Sequence, residues 1–490
     1  MIALPPSDID RRQMVAILGG AVASIAASRV TVSAATASAP GDITLLREVY
    51  TALHPGLYRY NSPRSVAGLF NRLGRSWSNQ ADLRTRFLAL SRTLAALQCG
   101  HSYANFYNQS KDVQQRLFTD IPRLPFLFRW LSGEMVVVSS QGQQEPIAPG
   151  TIVTHINGIS ARALLAKMLP YVRADGGNDG KRVDLLGCSG RDRWETFDIF
   201  CANLFPEITR YTLDLRLPDG RKSRAIRSPI SLAERQAALP PTGADKDAPA
   251  WTMAFAPAGY AILTMPGWAL YNSKWDWQAF LGQCFADMAA RRTTGLVIDL
   301  RTNEGGLDCG DEILARLIDA PLSPESYERR VRFRTVPDHL LKFMDTWDPS
   351  FAKLGEAAAP LSGGFFALPV GAVERIEPKG PRFRGKVAVI TDPGNSSATW
   401  RFAATVKAAK LGTLVGGTTG GNQRGINGGA FYFLRLPDSA LEVDVPLIGA
   451  FARTPKPNAG LEPNIRVAVT AQDIATGRDP VLATAVQAVG

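Results

Sequence analysis

Two residues in this chain combine the type and local setting that acyl chemistry needs. They are a serine at a helix start and a histidine just past a helix end. In the stretch 386–425, the apolar run Val387 to Thr391 reads as a buried strand, broken by Pro393-Gly394-Asn395 before a helical pattern begins near Ser397. At such a helix start the N–H groups of Ser397 and Ala398 point outward without partners. A hydroxyl and donors for a developing oxyanion would then share one place. Serine is also a favoured N-cap, so plain capping is the competing reading. The histidine is His101. Leu83, Phe87, Leu90, Leu94 and Leu97 recur at helical spacing, and the run ends at Cys99-Gly100, which places His101-Ser102 on a short exposed turn. Of the four histidines, His54 lies beside a proline, His155 inside an alternating strand and His339 at a polar helix start. An imidazole titrating near pH 6.5 can accept a hydroxyl proton at neutral pH.

The elements that must position these groups change character along the chain. Helical periodicity dominates from about 42 to 107, with Leu45, Leu46, Val49, Tyr50 and Leu53 in its first run. Alternation follows between about 121 and 231. Met135 to Val138 reads as a strand, and Gly150 to Asn157-Gly158 as a strand ending in a turn, with a helix over 161–169. Asp175-Gly-Gly-Asn-Asp-Gly180 lacks the ligand order of a calcium loop and reads as a surface turn. After a Pro/Ala/Asp-rich linker at 239–250, strands at 260–264 and 295–300 alternate with helices at 277–290 and 310–318. In parallel sheets active groups gather at the carboxyl ends of strands, where Arg301-Thr-Asn-Glu-Gly-Gly306 falls. Gly305 and Gly306 tolerate positive φ and could bring a backbone N–H to an oxyanion; a tight strand-to-helix turn is the plainer alternative.

Composition bounds the function classes. The chain has 490 residues, 45% hydrophobic and 20% charged, which fits a globular enzyme of more than one domain. The net charge of +11 is spread without a Lys/Arg tract or aromatic interleaving, so a nucleic-acid partner is not expected. No span long enough for a mature transmembrane helix is evident. Asp10-Arg11-Arg12-Gln13-Met14-Val15, followed by an apolar run to about Ala27 and the small residues Ala37-Ser38-Ala39, resembles a twin-arginine export signal, with a general secretory signal as the alternative. Export to an oxidising compartment would let the five cysteines form one or two disulfides, with Cys188 and Cys201 the nearest pair.

Taken in order, Leu97-Gln-Cys-Gly-His101-Ser102, Gly150 to Gly158, Leu296-Val-Ile-Asp-Leu-Arg-Thr-Asn303-Glu-Gly305-Gly306, Asn395-Ser-Ser397-Ala, Leu414-Val-Gly-Gly-Thr-Thr-Gly-Gly421 and Gly460-Leu-Glu-Pro-Asn-Ile465 resemble the carboxyl-terminal processing and tricorn-type serine peptidases. The resemblance implies an α/β fold, with a crotonase/Clp-like catalytic domain at 251–490, a PDZ-like β-rich domain at 113–238 and an N-terminal helical segment at 40–112 behind a signal at 1–39. It implies Ser397 as nucleophile, with Ser396 the alternative if the register slips by one. It places oxyanion donors at Ala398 and at Gly305 or Gly306, and a polypeptide as substrate, with neither cofactor nor metal. The processing branch carries a lysine base where this chain has Thr419-Gly-Gly-Asn422-Gln, and an amide cannot take the proton. The tricorn branch uses a histidine beside a serine, which His101 and Ser102 match in reversed order, so His101 becomes the expected base. Ser102, Ser396, Asn422 and Glu462 are the expected supporting residues, although Glu462 does not align with the family's acid and Trp400 stands where an acidic residue often follows the nucleophile. A peptide- or ligand-binding protein without catalysis, and an acyl hydrolase of another substrate class, are the alternatives on the same framework.

Overall fold

The computed structural model describes residues 41–77, 81–190, 192–237, 251–271, 273–324, 327–369 and 375–490. The expected export signal and the 239–250 linker lie outside the described residues. The architecture is mixed α/β and contains three six-stranded sheets.

The sheet that carries the chemistry runs in the order Ile465–Arg466, Thr413–Gly416, Lys386–Thr391, Gly295–Asp299, Tyr260–Thr264 and Thr252–Phe255. All neighbours are parallel except the last pair. Its inner strands are apolar on both faces, because each face is covered. Leu296, Ile298, Val387 and Val389 pack with the helices Trp277–Ala290, Cys309–Leu317 and Ser397–Ala408. Val297, Ala388 and Ile390 pack on the opposite side with Val481, Ala485 and Val489 of the helix Pro480–Val489. Alternation along each strand thus serves two cores. The central pair is in register from Lys386 opposite Gly295 to Ile390 opposite Asp299. The loops that follow, 300–306 and 392–397, therefore leave the sheet side by side.

The second sheet is antiparallel and centres on the hairpin Asn427–Arg435 and Glu442–Phe451. Short strands at Met344–Asp345, Glu328–Val331, Phe365–Ala367 and Ala359–Leu361 extend it. The N-terminal helices Asp42–Leu53, Pro63–Ser76 and Leu83–Ala96 share a core with this hairpin rather than standing apart. Tyr50 Oη donates to the Asp444 carbonyl at 3.1 Å, and the Asp42 carboxylate accepts from the N–H groups of Asp438 and Ser439 at the hairpin turn. Residues 251–490 thus contribute to three cores, one of which includes the helical segment.

The third sheet joins Phe126–Leu131, Glu134–Ser140, Ile152–Ile156, Tyr211–Arg216 and Lys222–Arg227 in antiparallel order, with Ile159–Ser160 folded back on Ile152–Ile156. The helix expected over 161–169 spans Ala161–Met168. Neither the candidate pair Cys188 and Cys201 nor any other is bonded, for all five cysteines are free and buried. Cys188 exchanges backbone hydrogen bonds with Phe128, whereas Cys201 faces the core from the helix Thr196–Leu204. Burial pushes the Cys201 thiol up to about 12, so neither its reactivity nor its placement favours pairing. Among the described residues no helix is long and apolar enough to cross a membrane.

Under this sheet Arg235 and Asp198 form an ion pair at 2.8 Å, with side chains 1% and 2% exposed. Arg235 also donates to the Leu124 carbonyl. Removing the carboxylate leaves a guanidinium buried without its counter-charge, which costs about 3–5 kcal/mol. Asp198→Ala is therefore expected to lower the urea midpoint by that equivalent with an unchanged m-value. A midpoint within about 1 kcal/mol of wild type would contradict this assignment.

Candidate active site

Ser397 begins the helix Ser397–Ala408 but does not cap it. The N-cap is Ser396, which makes no side-chain capping bond; its Oγ instead donates to the Glu304 carbonyl at 3.1 Å. Ser397 itself has φ of +51°, a left-handed conformation unfavourable for a side chain with a Cβ. Strain of this kind costs about 1–3 kcal/mol and persists only where the surroundings enforce it. The Ser397 side chain is half-buried and makes no hydrogen bond among the described residues. With both serines turned away from capping, the N–H groups of Ser397 and Ala398 at the helix start remain without backbone partners.

Two buried asparagines enforce this geometry. Asn303, fully buried, accepts at Oδ1 from Gly305 N–H (2.9 Å) and Thr399 Oγ1 (2.8 Å), and donates from Nδ2 to the Met265 carbonyl. Asn395, also fully buried, donates to the carbonyls of Leu300 (2.6 Å) and Asn303 (3.2 Å), while its Oδ1 accepts from Asp392 N–H. The Asn395 carbonyl accepts from Gly420 and Gly421. Each asparagine thus ties the loop after one strand to the loop or helix after its neighbour.

Gly305 sits against the nucleophile so closely that a Cβ there would lie 2.9 Å from Ser397 Cβ and from Ala398 N. Its φ of +101° also favours glycine. The Gly305 N–H is engaged by Asn303, however, which removes it as a ready oxyanion donor. The next residue pairs with Trp268 as a parallel bridge in which Gly305 O and Leu307 N–H make the bonds. The Gly306 N–H has no partner among the described residues. Ala398 and Gly306 are therefore the two expected donors that stay free.

His101 lies beyond the helix Leu83–Ala96, on a turn whose positive φ is taken by Gln98 rather than by the expected terminator Gly100. The turn is not exposed as its sequence suggested. The His101 side chain is half-buried, its ring tilted against Phe431 with centroids 5.8 Å apart, and Nδ1 is buried without a partner. Burial drives its pKa below the ordinary value; Asp175 and Glu304 oppose that, while Arg173 and Lys181 add to it. Neutral imidazole is the result. A cavity of about 10 Å³, the size of one water molecule, is lined by Gly100, His101, Asp175, Lys181, Ser396 and Gly420 and brings the histidine turn to the nucleophile loop. No hydrogen bond links His101 to Ser397 among the described residues, as is common before substrate tightens a site.

The charges around this cavity come from Glu304 of the strand-end motif and from the stretch 173–181. Glu304 bridges Arg173 and Lys181, each at 3.2 Å. Burial acts to raise the Glu304 carboxyl, but the two cations and their hydrogen bonds outweigh it and hold the group at about 2. Its side chain is 40% exposed, so solvent screens part of that attraction. Lys181 Nζ also donates to the Gly394 carbonyl at 2.9 Å. Asp175-Gly-Gly-Asn-Asp-Gly180, read from sequence as a surface turn, instead packs against the active loops. Its Asp175 is 3% exposed, and Asn178 Nδ2 donates to the Thr419 and Gly421 carbonyls. A cluster of small and amide residues between a helical and a strand pattern was the only signal available.

The expected supporting residues divide. Ser102 is fully buried and bonds to His54 Nε2 at 2.9 Å, which anchors the turn from behind. Asn422, fully buried, donates to the Asp175 carbonyl and to Asn458 Oδ1. Glu462 bonds Thr418 Oγ1 and Arg466 at an exposed edge, and so does not supply the acid for His101. Among the described residues no cluster of three His, Cys, Asp or Glu side chains could hold a metal ion.

Asn303→Leu would leave Gly305 N–H and Thr399 Oγ1 without their shared acceptor in a dry site. At about 1–3 kcal/mol for each orphaned group, the variant is expected to lose at least 2 kcal/mol in urea unfolding and to label poorly with a fluorophosphonate. Wild-type values for both would show that the turn is held otherwise.

Comparison with known proteins bears on this arrangement. Among curated proteins, no sequence matches the chain significantly. Mature CPAF is similar in fold, with a TM-score of 0.57 at 15% identity over 89% of this chain and 93% of that one. The structure of mature CPAF complexed with lactacystin gives 0.58 at 15% identity, covering 89% and 94%. The photosystem II D1 C-terminal processing protease gives only 0.39, at 13% identity over 87% and 92%. The model of peptidase family S41 matches residues 259–465, the span that holds most of the parallel sheet, the Gly305-Gly306 turn and Ser397. The match to peptidase family S41 is confined to that span, which is less than half of the chain.

Proposed function

We propose that this is an exported peptidase that cleaves polypeptides through an acyl-enzyme, with Ser397 as nucleophile and His101 as general base. The observation that carries the proposal is the Ser397 turn. An unbonded hydroxyl is held at φ +51° at a helix N-terminus, beside free N–H groups of Ala398 and Gly306. A capping serine would show the opposite, with its Oγ occupied and φ in the extended region.

The chemistry follows from these positions. As Ser397 Oγ bonds to the scissile carbonyl carbon, its proton passes to a ring nitrogen of His101. The carbonyl oxygen gains negative charge and accepts from the Ala398 and Gly306 N–H groups. Collapse breaks the C–N bond, and the imidazolium gives its proton to the departing amine. Water then repeats the sequence to release the acyl group. Helix-terminal N–H groups that need not reorganise are well suited to the second step. The antiparallel sheet from Phe126–Leu131 to Lys222–Arg227, with the helix Ala161–Met168 beside it, supports the PDZ-like reading, in which an extended substrate adds as a strand. The crotonase/Clp-like reading of 251–490 rests on the parallel sheet and its flanking helices.

Ser397→Ala is expected to lower kcat for casein or peptide hydrolysis by about 10⁶-fold with the fold intact. Hydrolysis undiminished in that variant would end the proposal, and tight peptide binding without hydrolysis by wild type would replace it with a binding protein. The pH profile offers a separate check. The active form of His101 is neutral, and burial holds its pKa below 6.5. The acid limb of kcat/KM is therefore expected below pH 6.5, with activity retained where an ordinary histidine would be largely protonated. An acid limb at or above 6.5 would contradict the assignment of the base.

A further inference from the structure

The family lysine is missing, Glu462 is engaged elsewhere, and Asn422 carries no charge, so the base lacks an evident anionic partner among the motif residues. The stretch 173–181 supplies candidates that the mechanism has not used. It touches both halves of the site. Gly176 N–H donates to the Gln98 carbonyl and Arg173 to the Gly100 carbonyl (2.9 Å), which grips the histidine turn. Asn178 and Lys181 grip the loops around Thr419, Gly421 and Gly394. Within this stretch Asp175 is buried, and its Oδ1 accepts from the N–H of Gly100 at 2.9 Å, one residue before His101. A Cβ at position 100 would lie 2.7 Å from Asp175 Oδ2, so the glycine there makes room for this carboxylate. Asp175 and His101 line the same water-sized cavity.

We infer that Asp175 is the positioning residue of His101. Its carboxylate fixes the turn through Gly100 N–H and provides the negative charge that stabilises the imidazolium while the Ser397 proton resides there. The inference rests on the Ser397 and His101 reading above. The charged groups facing His101 are Asp175, Arg173 and Lys181 from this stretch and Glu304 from the strand-end turn, whereas the hairpin side presents Gly428 and Phe431. Glu304 is shared between two cations, and Arg173 is committed to Glu304 and to Gly100. Asp175 makes no ion pair among the described residues; its carboxylate acts at longer range on Arg59 and Arg173, and its one hydrogen bond is to the histidine turn. It is also the largest favourable charge on His101.

The test uses the rate of fluorophosphonate labelling across pH, which needs no knowledge of the natural substrate. Asp175→Asn keeps an oxygen for Gly100 N–H and removes only the charge. The labelling rate is expected to fall roughly tenfold or more, by analogy with loss of the charge behind a catalytic histidine, and the acid limb to move to lower pH. The sign follows because an anion favours the protonated ring, so its removal lowers the pKa. Asp175→Glu, which restores the charge, should return the limb towards wild type and carries the test if Asp175→Asn fails to fold. A profile for Asp175→Asn that overlays wild type, or a slower rate with an unmoved limb, overturns the inference. His101→Ala distinguishes the two levels. Undiminished labelling in that variant defeats the reading of the base, and this inference with it; labelling that depends on His101 but not on Asp175 defeats this inference alone.

Discussion

Everything at this site depends on a cross-strand constraint made by two uncharged side chains. Asn303 and Asn395 follow the carboxyl ends of neighbouring parallel strands; Asn395 donates into the loop of Asn303, and Asn303 accepts from Thr399 in the helix after Asn395, in the dry interior. Buried backbone groups must find partners, and here they find them both within each turn and across to the neighbouring loop. The register of the two strands sets the spacing, and the asparagines convert it into a fixed distance between the Gly305-Gly306 turn and the helix start. Strain at Ser397 is sustainable because these bonds would have to break for it to relax. The hydroxyl and the donors are thus arranged before substrate arrives, which is what electrostatic stabilisation of an oxyanion requires.

Charge enters from a different part of the chain. Asn422 carries no charge, and its amide ties the Asp175 backbone to Asn458. The segment 173–181 brings an aspartate, an arginine and a lysine to the site, and Glu304 balances the two cations. The same contacts join the antiparallel sheet region to the parallel one.

Much of this was legible in the sequence. The strands at 260–264 and 295–299 and the helix at Ser397 follow from uninterrupted apolar runs and sharp Pro/Gly breaks, which report local structure directly. Ser397 and His101 stood out in the sequence because each falls at an element end, and histidine is scarce in this chain. The second antiparallel sheet was not found. Its hairpin is buried on both faces and its outer strands are two to four residues long, so no clear alternation marks them. The burial of Asp175 was equally hidden, since a Gly/Asp/Asn cluster looks the same on the surface or wedged between loops. The Cys188–Cys201 candidate failed although both thiols enter one core, because nearness along the chain does not set the distance and direction that a disulfide needs.

The most direct test of the account is peptide mapping by mass spectrometry of the wild-type protein after reaction with a fluorophosphonate. A single adduct on Ser397, with Ser396 unmodified, is the predicted result, because among the described residues the Ser397 hydroxyl makes no hydrogen bond, whereas Ser396 Oγ donates to the Glu304 carbonyl. An adduct on Ser396, or no adduct on folded protein, would contradict the assignment of the strained turn as the catalytic centre.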